Sequence, residues 1–192
     1  MKKFVSVLFS CILLTVALNS SQAYDFPFTN PYVATVIGTP LKYSIPLPEK
    51  IRVRQLELTV FEDREIPDVF WYLEKLNYSL AYQKKKAPLI FVIAGTGASH
   101  RTANMQLLQR IFYQAGFHVL SLSSPTHPDF ITNASTSGGP GNIVDDSRDL
   151  YHVMELAWKQ VQKRIEVSEF HLTGYSLGGA QAAFITQLDD ER

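Results

Sequence analysis

Apolar positions along the chain change their period as it proceeds. Over residues 51–61 they alternate, with Leu56, Leu58 and Val60 on one side and Ile51 and Val53 on the other. Gln55 and Glu57 interrupt the second side, so a strand with one imperfect face is predicted. A loop or short helix over 67–73 and a second strand over 76–82 follow, and the two strands are placed to pair as an antiparallel meander. At Leu89 the alternation gives way to the continuous run Leu89-Ile90-Phe91-Val92-Ile93, which ends in Ala94-Gly95-Thr96-Gly97. A strand apolar on both faces belongs in a buried, parallel position. Met105, Leu108, Ile111, Phe112 and Ala115 then recur at helical spacing up to Gly116, which suits the residue just past a helix end. Residues 117–122 form another buried strand. Asn142 is placed to cap a helix over 143–165, whose Leu150, Met154, Ala157, Trp158, Val161 and Ile165 share a stripe. Phe170-His171-Leu172-Thr173 is the last strand, and a small-residue helix over 180–188 follows. Two early strands and then β-α-β-α-β-α specify an α/β fold, a mainly parallel sheet with helices on both faces.

The first 50 residues stand apart from this pattern. Lys2 and Lys3 precede a mostly apolar stretch over 4–18, and Ser21-Gln22-Ala23 places small residues where a signal peptidase cuts. Residues 1–23 are therefore expected to be a signal peptide of bacterial type, too short to remain as a membrane span, with Tyr24 as the mature N-terminus. Export to the periplasm or beyond follows. Cys11, the only cysteine, leaves with that peptide, so the mature chain has no disulfide. Residues 24–50, rich in Pro, Asn and Thr, are expected to be an extended arm. Residues 51–192 then form the N-terminal part of one α/β domain. Basic and acidic residues balance at 18 each, which excludes the strong field that nucleic acid or an anionic membrane would require. Lys84-Lys85-Lys86 is a short solvated turn.

Gly174-Tyr175-Ser176-Leu177-Gly178 carries the chemistry. It falls between a predicted strand and a predicted helix, where a tight turn lifts the serine hydroxyl clear of the sheet. Glycines are needed at 174 and 178 because strand and helix approach there too closely for a Cβ. The helix N-terminus beyond supplies N–H groups and positive dipole to a developing oxyanion.

With these elements and this motif, residues 51–188 resemble the first half of the α/β-hydrolase superfamily of esterases, lipases, thioesterases and peptidases. The resemblance implies that Ser176 is the nucleophile and that the Leu177 backbone N–H is one oxyanion donor. It places the second donor in the loop after the third strand, on the Thr96 N–H; Ala94 stands where many members have His. Tyr175 and His127 are candidate substrate contacts. The family's acid and His follow the nucleophile in chain order, whereas His100, His118, His127, His152 and His171 all precede Ser176. The acid and base are therefore expected beyond residue 192, and the 192 residues alone are expected to be inactive.

No histidine spacing suits a metal, and the Gly95-x-Gly97 pair lacks the third glycine of a dinucleotide loop, so neither metal nor cofactor is expected. The expected partner is a small acyl ester. A serine peptidase and a non-catalytic binding module on the same fold remain open readings. The long stretch over 123–141, rich in Ser, Thr, Gly and Pro, is either a wall of the substrate cleft or a mobile surface loop.

Overall fold

The structure, a computed structural model, describes residues 28–36 and 46–191. The chain divides into two compact units, Met1–Pro46 and Leu47–Arg192. The signal-peptide reading of residues 1–23 lies outside the described residues. Within the first unit the described part is a short helix, α1 (Pro31–Val36), where an extended arm was expected. Asn30 starts it, its side-chain oxygen accepting from the N–H groups of Tyr32 and Val33 at 2.9 and 3.1 Å. Pro31 then occupies the first helical position, which its fixed φ suits.

The second unit holds a five-stranded sheet. In chain order its strands are β1 (Val53–Leu58), β2 (Leu76–Ala81), β3 (Ala87–Ile93), β4 (His118–Leu122) and β5 (Val167–Gly174). Their spatial order is β1-β2-β4-β3-β5. As expected, β1 and β2 pair antiparallel. β2 runs antiparallel to β4 as well, while β4, β3 and β5 are mutually parallel. α2 (Ala103–Gln114) joins β3 to β4, α3 (Pro128–Asn133) and α4 (Ile143–Val161) lie between β4 and β5, and α5 (Leu177–Asp190) follows β5.

Strand pleating sorts the continuous apolar run of β3 onto two faces. Ile90 and Val92 pack with Val119 and with Met105 of α2, while Leu89, Phe91 and Ile93 pack with Leu150, Val153 and Ala157 of α4 and Ile185 of α5. Helices therefore cover both faces. Leu89, Val92 and Ile93 are fully buried, and each such side chain contributes roughly 1.5–3 kcal/mol of burial free energy. The α2 face also carries a polar seam, in which the Gln109 side-chain amide donates to Ser79 and Ser121 at 3.1 and 3.2 Å.

The stretch over 123–141 is fastened at many points and contains α3, unlike the mobile surface loop that was one of its two readings. His127 caps α3, its Nδ1 accepting from the Asp129 N–H, and Pro128 opens the helix. Buried Asp129 and Asn133 then tie the helix to the start of β2. Asp129 accepts from the Asn77 N–H at 3.0 Å, and Asn133 donates to the Leu73 carbonyl at 2.9 Å. Farther on, Asp149 accepts from the Thr136 N–H and Asp146 from the Gly141 N–H, so two buried carboxylates of α4 hold the segment down. Polar composition here is structural. It satisfies backbone groups that an irregular segment leaves open.

Candidate active site

Three parallel strands end at one level, since Ile93 at the end of β3 sits in register with Leu122 of β4 and with Gly174 of β5. The chain reverses direction in the sheet at β3, with β4 on one side and β5 on the other. Ligand sites of open α/β sheets lie at such a point, outside the carboxyl ends of the strands.

Ser176 stands at this point, directly after β5 and directly before α5. Its φ of 55° and ψ of −126° make it the one non-glycine with positive φ among the described residues. Such a conformation costs on the order of 1–3 kcal/mol and persists only where its surroundings enforce it. The enforcing contacts are backbone on backbone. A Cβ on Gly178 would lie 2.3 Å from the Ile93 carbonyl oxygen, and one on Gly174 would lie 2.4 Å from the Gly178 carbonyl. The Ser176 side chain is exposed and makes no hydrogen bond with the described residues.

The loop after β3 wraps against this turn. A Cβ on Gly95 would meet the Tyr175 ring at 2.7 Å and the Ser176 Cβ at 3.0 Å. Tyr175 itself is half-buried and packs with the cluster of Ile90, Val92, Ala94 and Met105. Residues 95–98 form a β-turn closed by the Ala98 N–H on the Gly95 carbonyl at 3.0 Å. Among the described residues neither the Thr96 N–H nor the Leu177 N–H has a hydrogen-bond acceptor; the neighbouring Gly97, Gly178 and Gly179 N–H groups all do. Leu177 opens a 14-residue helix, so its free N–H lies at the positive end of the dipole.

Sequence reasoning did not single out Ser124 and Thr126. The Ser124 N–H donates to the Ala98 carbonyl at 3.0 Å, and the Thr126 hydroxyl accepts from the Gly97 N–H at 2.7 Å. The signal available was their place, in the first residues after a buried parallel strand.

Each histidine with a described partner is engaged away from Ser176. The His127 ring caps α3, and burial lowers its pKa. His118 is fully buried; its Nδ1 accepts from the Gln83 N–H and its Nε2 donates to the Glu166 carbonyl. His171 meets Glu169 at 3.2 Å on the outer side of β5. His152 is an exposed residue of α4. His100 is buried, with Nε2 on the Gln55 amide oxygen at 3.2 Å and Nδ1 on the Ser123 hydroxyl at 3.3 Å. The Gln55 oxygen only accepts, so Nε2 carries a hydrogen, and in the neutral ring Nδ1 then accepts from the Ser123 hydroxyl.

His100 makes stability depend on pH. Burial, helped by the charge of Arg101 and by His127, lowers its pKa from 6.5 to about 4. Below pH 6.5 the unfolded chain takes up a proton that the folded chain resists. Stability therefore falls as pH drops from 6.5 towards 4 and levels off below, by about 3 kcal/mol for this group. His118 and His127, also lowered by burial, act in the same direction. Asp129 and Asp146, raised by burial, offset part of the loss at the acidic end. Urea midpoints measured across this range should decline towards acid, and His100→Gln should flatten the slope. A wild-type curve that is level from pH 6.5 to 4 would refute this account.

An apolar groove of about 470 Å³ also runs along β5, lined by Phe91, Trp158, Phe170, Leu172 and Ile185 among others. Ser176 does not line it. Among the described residues no group of three His, Cys, Asp or Glu side chains gathers to hold a metal.

No sequence-family model matches the chain, and no curated protein does. Solved structures match it. Dienelactone hydrolase from Anabaena variabilis ATCC 29413 is similar with a TM-score of 0.53 at 16% identity, over 73% of this chain and 59% of that one. Est1E from Butyrivibrio proteoclasticus is similar at 0.46 and 18%, over 61% and 43%. A hyperthermophilic esterase from the archaeon Pyrobaculum calidifontis is similar at 0.44 and 18%, over 73% and 40%. This chain thus spans about two fifths to three fifths of the length of these proteins. Identities this low speak to the fold alone. A mixed sheet ordered β1-β2-β4-β3-β5, helices on both faces and the dienelactone hydrolase likeness together define the α/β-hydrolase fold, of which the described residues form a five-stranded part.

Proposed function

We propose that the protein is an exported serine hydrolase that cleaves an ester-type acyl bond of a small molecule through an acyl-enzyme on Ser176. The observation that carries this reading is the strained, exposed Ser176 between β5 and α5. Strain of this kind at a residue with a nucleophilic side chain marks a site where geometry is held for chemistry. Two unpartnered amides, on Thr96 and Leu177, supply the donors that acyl transfer needs.

In the proposed reaction the Ser176 Oγ bonds to the ester carbonyl carbon as its proton passes to a base. The carbonyl oxygen becomes an oxyanion held by the Thr96 and Leu177 N–H groups. The C–O bond to the alcohol then breaks and the alcohol leaves with that proton. Water repeats the sequence on the acyl-enzyme, releasing the acid and free Ser176. None of the described histidines has a hydrogen bond to Ser176, so the base is not assigned among them. Thr96 and Leu177 each contribute about 3–4 kcal/mol to the barrier reduction, the usual worth of one oxyanion donor. An organophosphonate ester probe tests the reading: it should attach to Ser176 of the native protein, and attachment at a different serine would overturn it.

Export is proposed from residues 1–23, and among the described residues no helix is long and apolar enough to cross a membrane. The mature protein should begin at Tyr24. Mass spectrometry that recovers residues 1–23 intact from the native envelope would contradict this.

A further inference from the structure

We infer that the groove between α2 and β1 binds a small organic dianion, a phosphate monoester or a dicarboxylate, with its oxygens on Arg101 and Arg110. The groove holds about 550 Å³, inside the range of roughly 300–1,000 Å³ usual for small-molecule pockets, and Ser176 does not line it. The inference is therefore independent of the serine-hydrolase reading. Alternation along β1 and the residues before it brings Ile51, Val53 and Gln55 to one face, and Gln55 sits in register with Ser79 of β2. Across from them Gln106, Gln109 and Arg110 lie at helical spacing on one face of α2. The buried floor is polar and bonded within itself: the Gln109 amide donates to Ser79, and the His100 ring is held by Gln55 and Ser123.

The cations of the groove have no such partners. Lys50, Arg101 and Arg110 line it against one carboxylate, Glu49, which leaves two positive charges in surplus. None of the three is in an ion pair among the described residues. Arg110 is half-buried, and its Nε is covered by protein yet donates to nothing. Folded proteins leave few buried donors open, because taking one from water without a new partner is a net cost, and more so for a charged group. Arg101 stands close by. Burial first, and then the charge of Arg101, lower the His100 pKa to about 4, so that guanidinium lies near the His100 ring with no anion to offset it. A guanidinium forks onto two oxygens of a carboxylate or a phosphate, which gives geometry as well as charge. Two surplus charges match a dianion, and a phosphate monoester carries about −1.5 to −2 at neutral pH. Ile51 and Val53, half-buried on the β1 side, offer a short aliphatic body a surface to lie on.

Calorimetric titration of the native protein at low ionic strength tests this with three probes: glycerol 3-phosphate, succinate and acetate. At least one dianion should bind with Kd below about 1 mM and about tenfold or more tighter than acetate, and added salt should weaken it. Tighter binding of glycerol 3-phosphate makes the ligand a phosphate monoester; tighter binding of succinate makes it a dicarboxylate. Arg110→Gln, which keeps a polar side chain and removes the fork, should weaken the tighter probe by about tenfold or more. If that variant does not fold, Arg101→Gln decides, since Arg101 is exposed and the same loss is expected. In a parallel titration followed by NMR the His100 ring resonances should move, while those of His171 on the outer side of β5 stay in place. Neither dianion binding at about 10 mM overturns the inference. So does acetate binding as tightly as the dianions, affinity unchanged in both arginine variants, or a shift at His171 with none at His100.

Discussion

Ser176→Ala is expected to lower ester turnover by the native protein about 10⁴–10⁶-fold and to abolish organophosphonate labelling, while its unfolding free energy in urea stays within about 0.5 kcal/mol of wild type. The two halves of this result have separate causes. Chemistry is lost because alanine offers no atom to form the acyl bond, and what remains is the effect of binding and the oxyanion hole on attack by water. Stability is kept because the hydroxyl makes no hydrogen bond with the described residues, and alanine retains the Cβ that the strained backbone already accommodates. Steady-state kinetics and urea unfolding on the same preparation check both. Turnover within tenfold of wild type would remove Ser176 from the mechanism. Lost turnover with a large fall in the urea midpoint would show the hydroxyl to be structural.

The largest effect on folding is expected from Gly178→Ala. Its Cβ would sit 2.3 Å from the Ile93 carbonyl oxygen, 2.7 Å from that of Ala94 and 2.8 Å from the Ile93 carbonyl carbon. All three atoms are backbone of the central strand or its immediate extension, so no side chain can turn aside. Overpacking against mobile side chains costs about 1–3 kcal/mol, and a rigid strand should bring the cost to the top of that range or beyond it. Against a typical total of about 5–15 kcal/mol the loss is severe. Gly139→Ala is the control, because a Cβ there meets nothing within 4 Å and its φ is not positive. It should change stability by less than about 0.5 kcal/mol. Equal urea midpoints for the two variants would refute the close-approach explanation of Gly178.

Much of this arrangement was legible in the chain because its strongest signals have a single physical cause. A run such as residues 89–93 needs apolar cover on both sides, and only a central strand has that. Gly174-x-Ser176-x-Gly178 needs a strand before it and a helix after it, and β5 and α5 supply them. The short helices were less visible. α3 is six residues long, opens with His127 and Pro128, and buries Asp129, Phe130 and Asn133, a mixture that resembles a polar loop when only residue types are counted. Its helicity comes from the cap and from bonds to β2, which are tertiary. The same limit hid the bond from the Gly97 N–H to the Thr126 hydroxyl, whose ends are 29 residues apart. His100 showed no sign of its burial, since the Gln55 and Ser123 that enclose it come from two other stretches of chain.

The mutual wedging of Gly95, Tyr175 and Ser176 has a bearing on how the protein matures. Gly95 follows β3, Tyr175 follows β5, and α4 lies between them in chain order, so the site has no local precursor. A nascent or half-assembled molecule, even one with its helices formed, presents an ordinary unreactive serine. On the proposed reading of Ser176, the covalent probe would count molecules whose three central strands have come into register. Stopped-flow refolding in its presence would give the time course of sheet closure as a chemical yield, separate from the earlier appearance of helix.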